Sequence, residues 1–269
     1  MVMDSNNSSD NYACHTSPQI SKEQFIPEHV FSYLVAGTMT VFDSNGSWDI
    51  QAGEYIIYTR NSFGRYIKSP PPGGDFKTIS IFLNQEFLRG FSKEYGYVAD
   101  GVVDKPTVIK LNPEPLLANF VQSVQPYLHL KRDDYNSFLS LKMSEVTLIL
   151  LKQNPALKNI LFDFSDPGKI DLEQFMNRNF RFNVSMERFG YLAGRSLTTF
   201  KRDFERIFHS SPGRWLLDKR LTEAHHLITE EHQKPSEVYL QVGFEDITHF
   251  SYAFKKKYGV SPSQLKKSA

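Results

Sequence analysis

Two hydrophobic periods divide the chain. From about Phe25 to Leu83, apolar and polar residues alternate over short runs, the period of half-buried strands. The runs Phe31 to Val35, Thr38 to Phe42, Ser47 to Gln51, Glu54 to Thr59 and Thr78 to Leu83 are predicted strands. Ala36-Gly37 reads as a turn and Asp43-Ser44-Asn45-Gly46 as a hairpin. The run from Pro70 to Gly74 is a loop. Short strands with regular turns predict a small antiparallel barrel or sandwich. Helical spacing follows. Pro113 to Leu130 and Asp133 to Lys152 are predicted helices. In the second, Phe138, Leu141, Glu145 and Leu148 share one neighbourhood, while Met143, Val146, Ile149 and Leu150 widen the apolar face.

The last hundred residues repeat themselves. Phe200, Phe204, Phe208, Ser211, Pro212 and Trp215 recur as Phe250, Phe254, Tyr258, Ser261, Pro262 and Leu265, each displaced by 50 residues. Gly194 and Gly243 precede the two sets, with one residue of slippage. A period of this size marks a duplicated structural unit. In the first copy, Met186 to Ala193 is a predicted helix, Ser196 an N-cap and Leu197 to Phe208 a second helix. In the second copy the corresponding parts are Lys234 to Val242, Asp246, and Ile247 to Tyr258. Glycine supplies the positive φ that lets one helix stop and another start at a steep angle. Each copy is therefore a helix-turn-helix. A long helix from Pro212 to about Thr229, with Trp215, Leu216, Leu221, Ala224, Leu227 and Ile228 at helical spacing, joins them.

The aromatic stripes must face the core, which turns other side chains outward. In the first copy these are Thr198, Thr199, Lys201, Arg202 and Glu205, behind the cap Ser196. In the second they are Thr248, His249, Ser251, Tyr252 and the run Lys255-Lys256-Lys257. Polar groups on the first turns of such helices reach base edges in a major groove. Arg202 suits a bidentate contact with guanine, and Lys201 suits guanine or phosphate. Lysines near the helix end suit phosphates, which position without specifying. A solvated face is the competing account of the three lysines.

The string GFEDITHFSYAFKKKYGVSPSQLKK, Gly243 to Lys267, closely resembles the signature of the AraC/XylS family of bacterial transcription activators. The string LAGRSLTTFKRDFERIFHSSPGRWL, Leu192 to Leu216, resembles that family's first helix-turn-helix. The resemblance implies a seven-helix domain over roughly residues 169–267, binding to promoter DNA and recruitment of RNA polymerase. By position it implies Thr198, Lys201 and Arg202 as base readers in the first unit, and Thr248, Ser251 and Tyr252 in the second. Four positions depart from the family pattern: Tyr252 replaces Arg or Lys, Tyr239 replaces Ala, and Leu265-Lys266 replaces an aromatic and Arg. These departures shift the expected specificity towards Lys201 and Arg202. A barrel followed by two helices also resembles the family's cupin-like sensor domain. Val30 to Thr59, with Gly53-Glu54 before an apolar strand, resembles the N-terminal half of its type III secretion activators.

Charge agrees with this division. The net charge of +1 conceals 17 basic and 13 acidic residues from Ser165 to Ala269, so +4 there and −3 in the remainder. A basic half beside an acidic one suits a DNA grip joined to a module of another kind. With 22 Phe and 13 Tyr in 269 residues, the chain supplies cores for two domains. No apolar run approaches ~18 residues, and Met1 to Ser21 lacks the order of a signal peptide. A single Cys14 leaves no intramolecular disulfide and no multi-cysteine zinc site. The protein is expected in the cytoplasm, off the membrane.

For the N-terminal half, a metal cupin needs a His-x-His pair and a Glu, and His29 stands alone. No metal or cofactor is expected. Tyr33, Tyr55, Tyr58, Phe63, Tyr66 and Phe82 either line a small-molecule pocket or fill the barrel. Any effector is a small molecule or a protein. The two helices also offer a homodimer interface, through Leu141/Leu148 or Met143/Leu150. A cupin-type enzyme with an appended helical domain is the alternative function. It needs a metal centre or a convergent acid–base set, and neither is visible. A DNA-repair methyltransferase would need reactive cysteines in both halves. The expected fold is α+β: a cupin-like antiparallel β-barrel plus two helices, then an all-α domain with two helix-turn-helix units joined by a long helix. The expected boundaries are a disordered tail at 1–21, a sensor and dimerisation domain at 22–160, a linker at 161–168 and the DNA-binding domain at 169–267.

Overall fold

The structure is a computed structural model and describes the backbone of residues 12–15, 19–20, 24–101, 103–129 and 132–268. Two compact units emerge, one built on residues 26–165 and one on residues 166–269.

Alternation of side chains places nine strands of the first unit in two antiparallel sheets. The strands are β1 (Tyr12–His15), β2 (Gln19–Ile20), β3 (His29–Ala36), β4 (Thr38–Phe42), β5 (Ser47–Gln51), β6 (Tyr55–Tyr58), β7 (Arg65–Ser69), β8 (Phe76–Leu83) and β9 (Val108–Leu111). One sheet has the order β1-β8-β3-β6-β9 and the other β2-β7-β4-β5. Asp43 closes the β4–β5 hairpin by accepting from the backbone N–H groups of Asn45 and Gly46.

The larger sheet is covered on both faces. Val30, Leu34, Ile56, Tyr58 and Phe76 meet Met39, Val41 and Ile50 of the smaller sheet. Phe31, Tyr55, Ile57, Ile79, Ile81 and Leu83 point the other way, into a helical layer. That layer consists of α1 (Gln85–Tyr95), α2 (Pro115–Val124), α3 (Arg132–Gln153) and the short α4 (Lys158–Leu161). Each fully buried Phe or Leu there contributes about 1.5–3 kcal/mol by leaving water. The helix expected from Pro113 to Leu130 stops earlier. After Val124 a 3-10 turn runs from Gln125 to His129, because Pro126 has no N–H for the α pattern.

Two expected boundaries are corrected. Within the supposed tail at 1–21, β1 pairs with β8 and β2 with β7, which supplies hydrogen bonds to edges left open otherwise. The rest of that segment lies outside the described residues. The supposed linker at 161–168 begins inside the core, with Leu161 and Phe162 buried in the helical layer. Asp163 is held there by Lys105 and by the hydroxyl and N–H of Ser165. Arg60 donates to the carbonyls of Asp163 (3.0 Å) and Ser165 (2.9 Å).

Burial opposes ionisation of Asp163, but Lys105 and Ser165 outweigh it and hold its pKa at about 2, below the ordinary 3.8. A folded-state pKa below the unfolded one stabilises fully above about pH 4 and is lost as pH falls through about 2. Asp163→Asn is expected to cost about 1–3 kcal/mol at pH 7. The gap from wild type should close in urea unfolding curves as pH falls below about 4. A gap unchanged between pH 7 and pH 2 would show that the carboxylate's charge is irrelevant.

Candidate nucleic-acid interface

The second unit contains seven helices among the described residues: α5 (Leu172–Asn179), α6 (Met186–Leu192), α7 (Leu197–Phe208), α8 (Pro212–Thr229), α9 (Pro235–Gln241), α10 (Ile247–Tyr258) and α11 (Pro262–Ser268). Helices α6–α7 and α9–α10 are the two helix-turn-helix units, and α8 joins them. Four residues separate α6 from α7, and five separate α9 from α10. That extra residue is the slippage in the repeat.

Both turns need glycine for two reasons. Gly194 has φ of 66° and Gly243 has φ of 95°, where L side chains are strained. Each also approaches another backbone. A Cβ on Gly194 would stand 2.4 Å from the carbonyl of Gly168, and one on Gly243 would stand 2.4 Å from the carbonyl oxygen of Arg181. The second helices start on side-chain caps. Ser196 Oγ accepts from the Thr199 N–H at 3.3 Å, and Asp246 Oδ1 from the His249 N–H at 2.7 Å.

The aromatic stripes are core. Phe200 and Phe204 are fully buried, and the rings of Phe204, Phe208 and Trp215 pack against one another. Phe250 and Phe254 repeat this arrangement, with Tyr258 and His225 completing the stack. Tyr239 fits beside Phe250, with ring centroids 6.4 Å apart, and Leu265 lies partly buried against the same cluster.

The opposite faces are open. On α7, Ser196, Thr198, Lys201 and Arg202 are exposed, and Thr199 is half-buried beside its cap. On α10, Thr248, His249, Lys255 and Lys256 are exposed, Ser251 is half-buried and Tyr252 is 69% exposed. Lys257 differs from its neighbours. Its ammonium bonds the Asp218 carboxylate (2.7 Å) and the Thr222 hydroxyl (2.8 Å) on α8, so it fastens α10 to the long helix.

Two features escaped the sequence pattern. Arg220 of α8 donates to the carbonyls of Phe180 (2.8 Å), Phe182 (2.7 Å) and Gly243 (3.0 Å). Burial lowers its pKa to about 10, and it stays charged at neutral pH. Asp203 is buried on α7, bonded to Arg195 Nε at 3.1 Å, with the exposed Arg206 at 3.5 Å. The Arg195 hydrogen bond holds the Asp203 pKa below its ordinary value. A charged residue three positions after Phe200, on the apolar side, was the available signal.

The aromatics of the first unit do not share one cavity wall. Tyr33 and Tyr55 face the helical layer, with centroids 4.7 Å apart. Tyr58 and Tyr66 meet edge to face between the sheets at 5.3 Å, with Phe82 on that side too, and the Tyr58 hydroxyl donates to Met39 Sδ. Phe63 is buried. His29 is fully buried, its Nδ1 accepting from the Arg60 N–H, and desolvation with Arg60 and Lys105 nearby lowers its pKa to about 3. No group of three or more His, Cys, Asp or Glu among the described residues is placed to hold a metal ion. No described helix is long and apolar enough to cross a membrane.

Gly194→Ala and Gly243→Ala are each expected to destabilise the protein by about 2–4 kcal/mol in chemical denaturation. Gly213→Ala, in the first turn of α8 with open space around it, is the control and should be neutral or slightly stabilising. Equal effects at all three positions would contradict the backbone contacts.

Comparison with known proteins gives the same division. The model of the ExsA N-terminal regulatory domain matches residues 29–160, and that of a helix-turn-helix domain matches residues 192–268. The HTH-type transcriptional regulator ExsA of Pseudomonas aeruginosa is 25% identical over 256 residues, 94% of this chain and 91% of its own. The virulence regulon transcriptional activator VirF of Yersinia enterocolitica is 24% identical over 241 residues, 87% of each chain. An HTH-type transcriptional regulator of Haemophilus influenzae is 30% identical over 207 residues, 72% of this chain and 68% of its own. The chain belongs to the AraC family of helix-turn-helix transcription regulators, DNA-binding proteins and not enzymes.

Proposed function

We propose that the chain activates transcription in the cytoplasm as a homodimer, reading promoter DNA with α7, gripping it with α10 and recruiting RNA polymerase. The observation that carries this reading is the pair of open polar faces on α7 and α10, each opposite a buried aromatic stripe. Arg202 would take a guanine edge, with Thr198 and Lys201 beside it. Thr248, Ser251 and Tyr252 would approach bases in the next groove segment. Ser196 and Thr199, engaged in the cap, and His249 would sit near phosphates at the helix N-termini. Lys255 and Lys256 would neutralise phosphates. Activation is supported by the relative named as a transcriptional activator. A protein effector is favoured over a small molecule, because Tyr33 and Tyr55 pack on a different face from Tyr58 and Tyr66.

Base readers and phosphate grips separate in one experiment. Arg202→Ala is expected to cost about 1–3 kcal/mol on the promoter site and to relax preference at one base pair. Lys255→Ala with Lys256→Ala should weaken specific and random DNA alike and lower the salt slope by about 2. Lys257→Ala should leave the slope unchanged. Equal loss for Arg202→Ala on specific and random DNA, or an unchanged slope without Lys255 and Lys256, contradicts these roles.

For the dimer, Met143, Val146 and Leu150 are buried within the unit, which leaves Phe138 (40% exposed), Leu141 (64%) and Leu148 (39%) as the exposed large apolar residues of α3 among the described residues. Leu141→Glu with Leu148→Glu is expected to turn a sedimenting dimer into a folded monomer. A variant that still sediments as a dimer sinks this interface.

A further inference from the structure

The two helix-turn-helix units differ in chemistry at a matched pair of positions. Arg195 follows the turn glycine of the first unit, as Phe244 follows that of the second. Asp203 on α7 stands 50 residues before Ala253 on α10. The second unit fills these places with buried apolar groups, Phe244 and Ala253. The first fills them with an ion pair whose side chains are only 7% and 6% exposed. Apolar residues in such places are commonly as stable or more so, and the duplicate unit accommodates them, so stability alone does not account for the pair.

Its geometry offers another role. Arg195 is pinned at one end, donating to the carbonyls of Ala193 (2.6 Å) and Ile170 (3.0 Å). Its Nε holds Asp203 Oδ2 at 3.1 Å, and Lys169 stands 4.0 Å from the same oxygen. The other oxygen, Oδ1, is the one nearest the exposed arginines. Arg206 lies 3.5 Å from it and the Arg202 Nε 4.0 Å from it, on side chains otherwise 75% and 77% exposed. One fixed carboxylate therefore stands between the two arginines of the open face. A guanidinium has five donors in a rigid fork, so one edge can rest on a carboxylate while the rest stays free for DNA.

Resting on the reading that α7 enters the major groove, we propose that Asp203, anchored by Arg195, is a positioning residue that orients Arg202 and Arg206 together, and that Arg206 is a further DNA contact of the first unit. An arginine held in advance loses less freedom on binding, which favours the correct base over its competitors.

The test measures binding of the full-length protein to its promoter site, to single-base variants of that site and to random duplex DNA. Salt is fixed, and circular dichroism confirms that each variant is folded at the working temperature. Asp203→Asn is expected to lose about tenfold on the promoter site and flatten preference at the base pair that Arg202→Ala identifies, with random DNA unaffected. Arg195→Phe with Asp203→Ala, which copies the second unit, should stay folded and show the same flattening. Arg206→Ala should weaken promoter binding. Full base preference in a folded Arg195→Phe, Asp203→Ala protein, or a uniform loss on all DNAs, overturns the positioning role. Unchanged promoter binding by Arg206→Ala overturns the added contact. If Arg202→Ala itself leaves base preference intact, the groove reading of α7 fails and this inference with it. If Arg202→Ala flattens the preference and the Asp203 variants do not, only this inference falls.

Discussion

A guanidinium buried between two parts of one unit sets the geometry on which the DNA-binding half depends. Arg220 lies on α8 and binds carbonyls at Phe180 and Phe182 before α6, and at Gly243 in the turn before α10. Three carbonyls give each of the three guanidinium nitrogens a partner, so none of them is buried unpaired. Gly243 completes the arrangement. A side chain there would meet the Arg181 carbonyl and the Arg220 guanidinium together, at 2.4 and 3.0 Å. The helix that links the units is therefore also bonded to the turn of the second. Lys257 adds a tie from α10 to Asp218 and Thr222. Two helices joined through a third can hold one spacing only if neither swivels on it, and these contacts restrain the second.

The duplication explains why so much was legible. Caps and turn glycines act locally, so Ser196, Asp246, Gly194 and Gly243 marked helix boundaries that the structure reproduces. Aromatic stripes at i, i+4 and i+8 needed only the helical period. The open faces followed by subtraction. Arg220 was not legible, and Asp203 only as a charge on the apolar side of its helix, because their partners lie in loops or across a turn and no period records such pairing. The assignment of Lys257 to an outward run was also incomplete. Direction from a helix was right, but a neighbouring helix supplied acceptors within reach.

In the N-terminal half the limits were different. Strands with strong apolar content, such as β3 and β8, were predicted from the sequence. Residues 84–112 received no assignment, yet α1 lies there with Asn84 as its cap and Gly96 at its end. Its buried residues are only Leu88 and Phe91, too few to register against the surrounding polar residues. β1 and β2, at four and two residues, are too short to show a period in the sequence, and pairing along an edge is a backbone matter. Leu161 and Phe162 look like any apolar pair before Asp163-Phe164-Ser165, and only the tertiary core shows that the chain has not yet left the unit.

The two units share a frame but not a chemistry. In the second, Tyr239 lies beside Phe250, so its bulk is absorbed by the core and does not distort the turn. What remains open on α10 is one large aromatic, short polar groups and two free lysines. Lysine ammonium groups are point charges suited to phosphate, and a tyrosine offers one hydroxyl where a guanidinium offers a fork. On α7 the open face instead carries Lys201, Arg202 and Arg206, the two arginines flanking a fixed carboxylate. Directional donors concentrate on the first unit, and point charges at the end of the second. Discrimination among bases needs direction, whereas hold on the duplex needs only charge. The proposed asymmetry between reading and gripping therefore rests on which cations each helix presents.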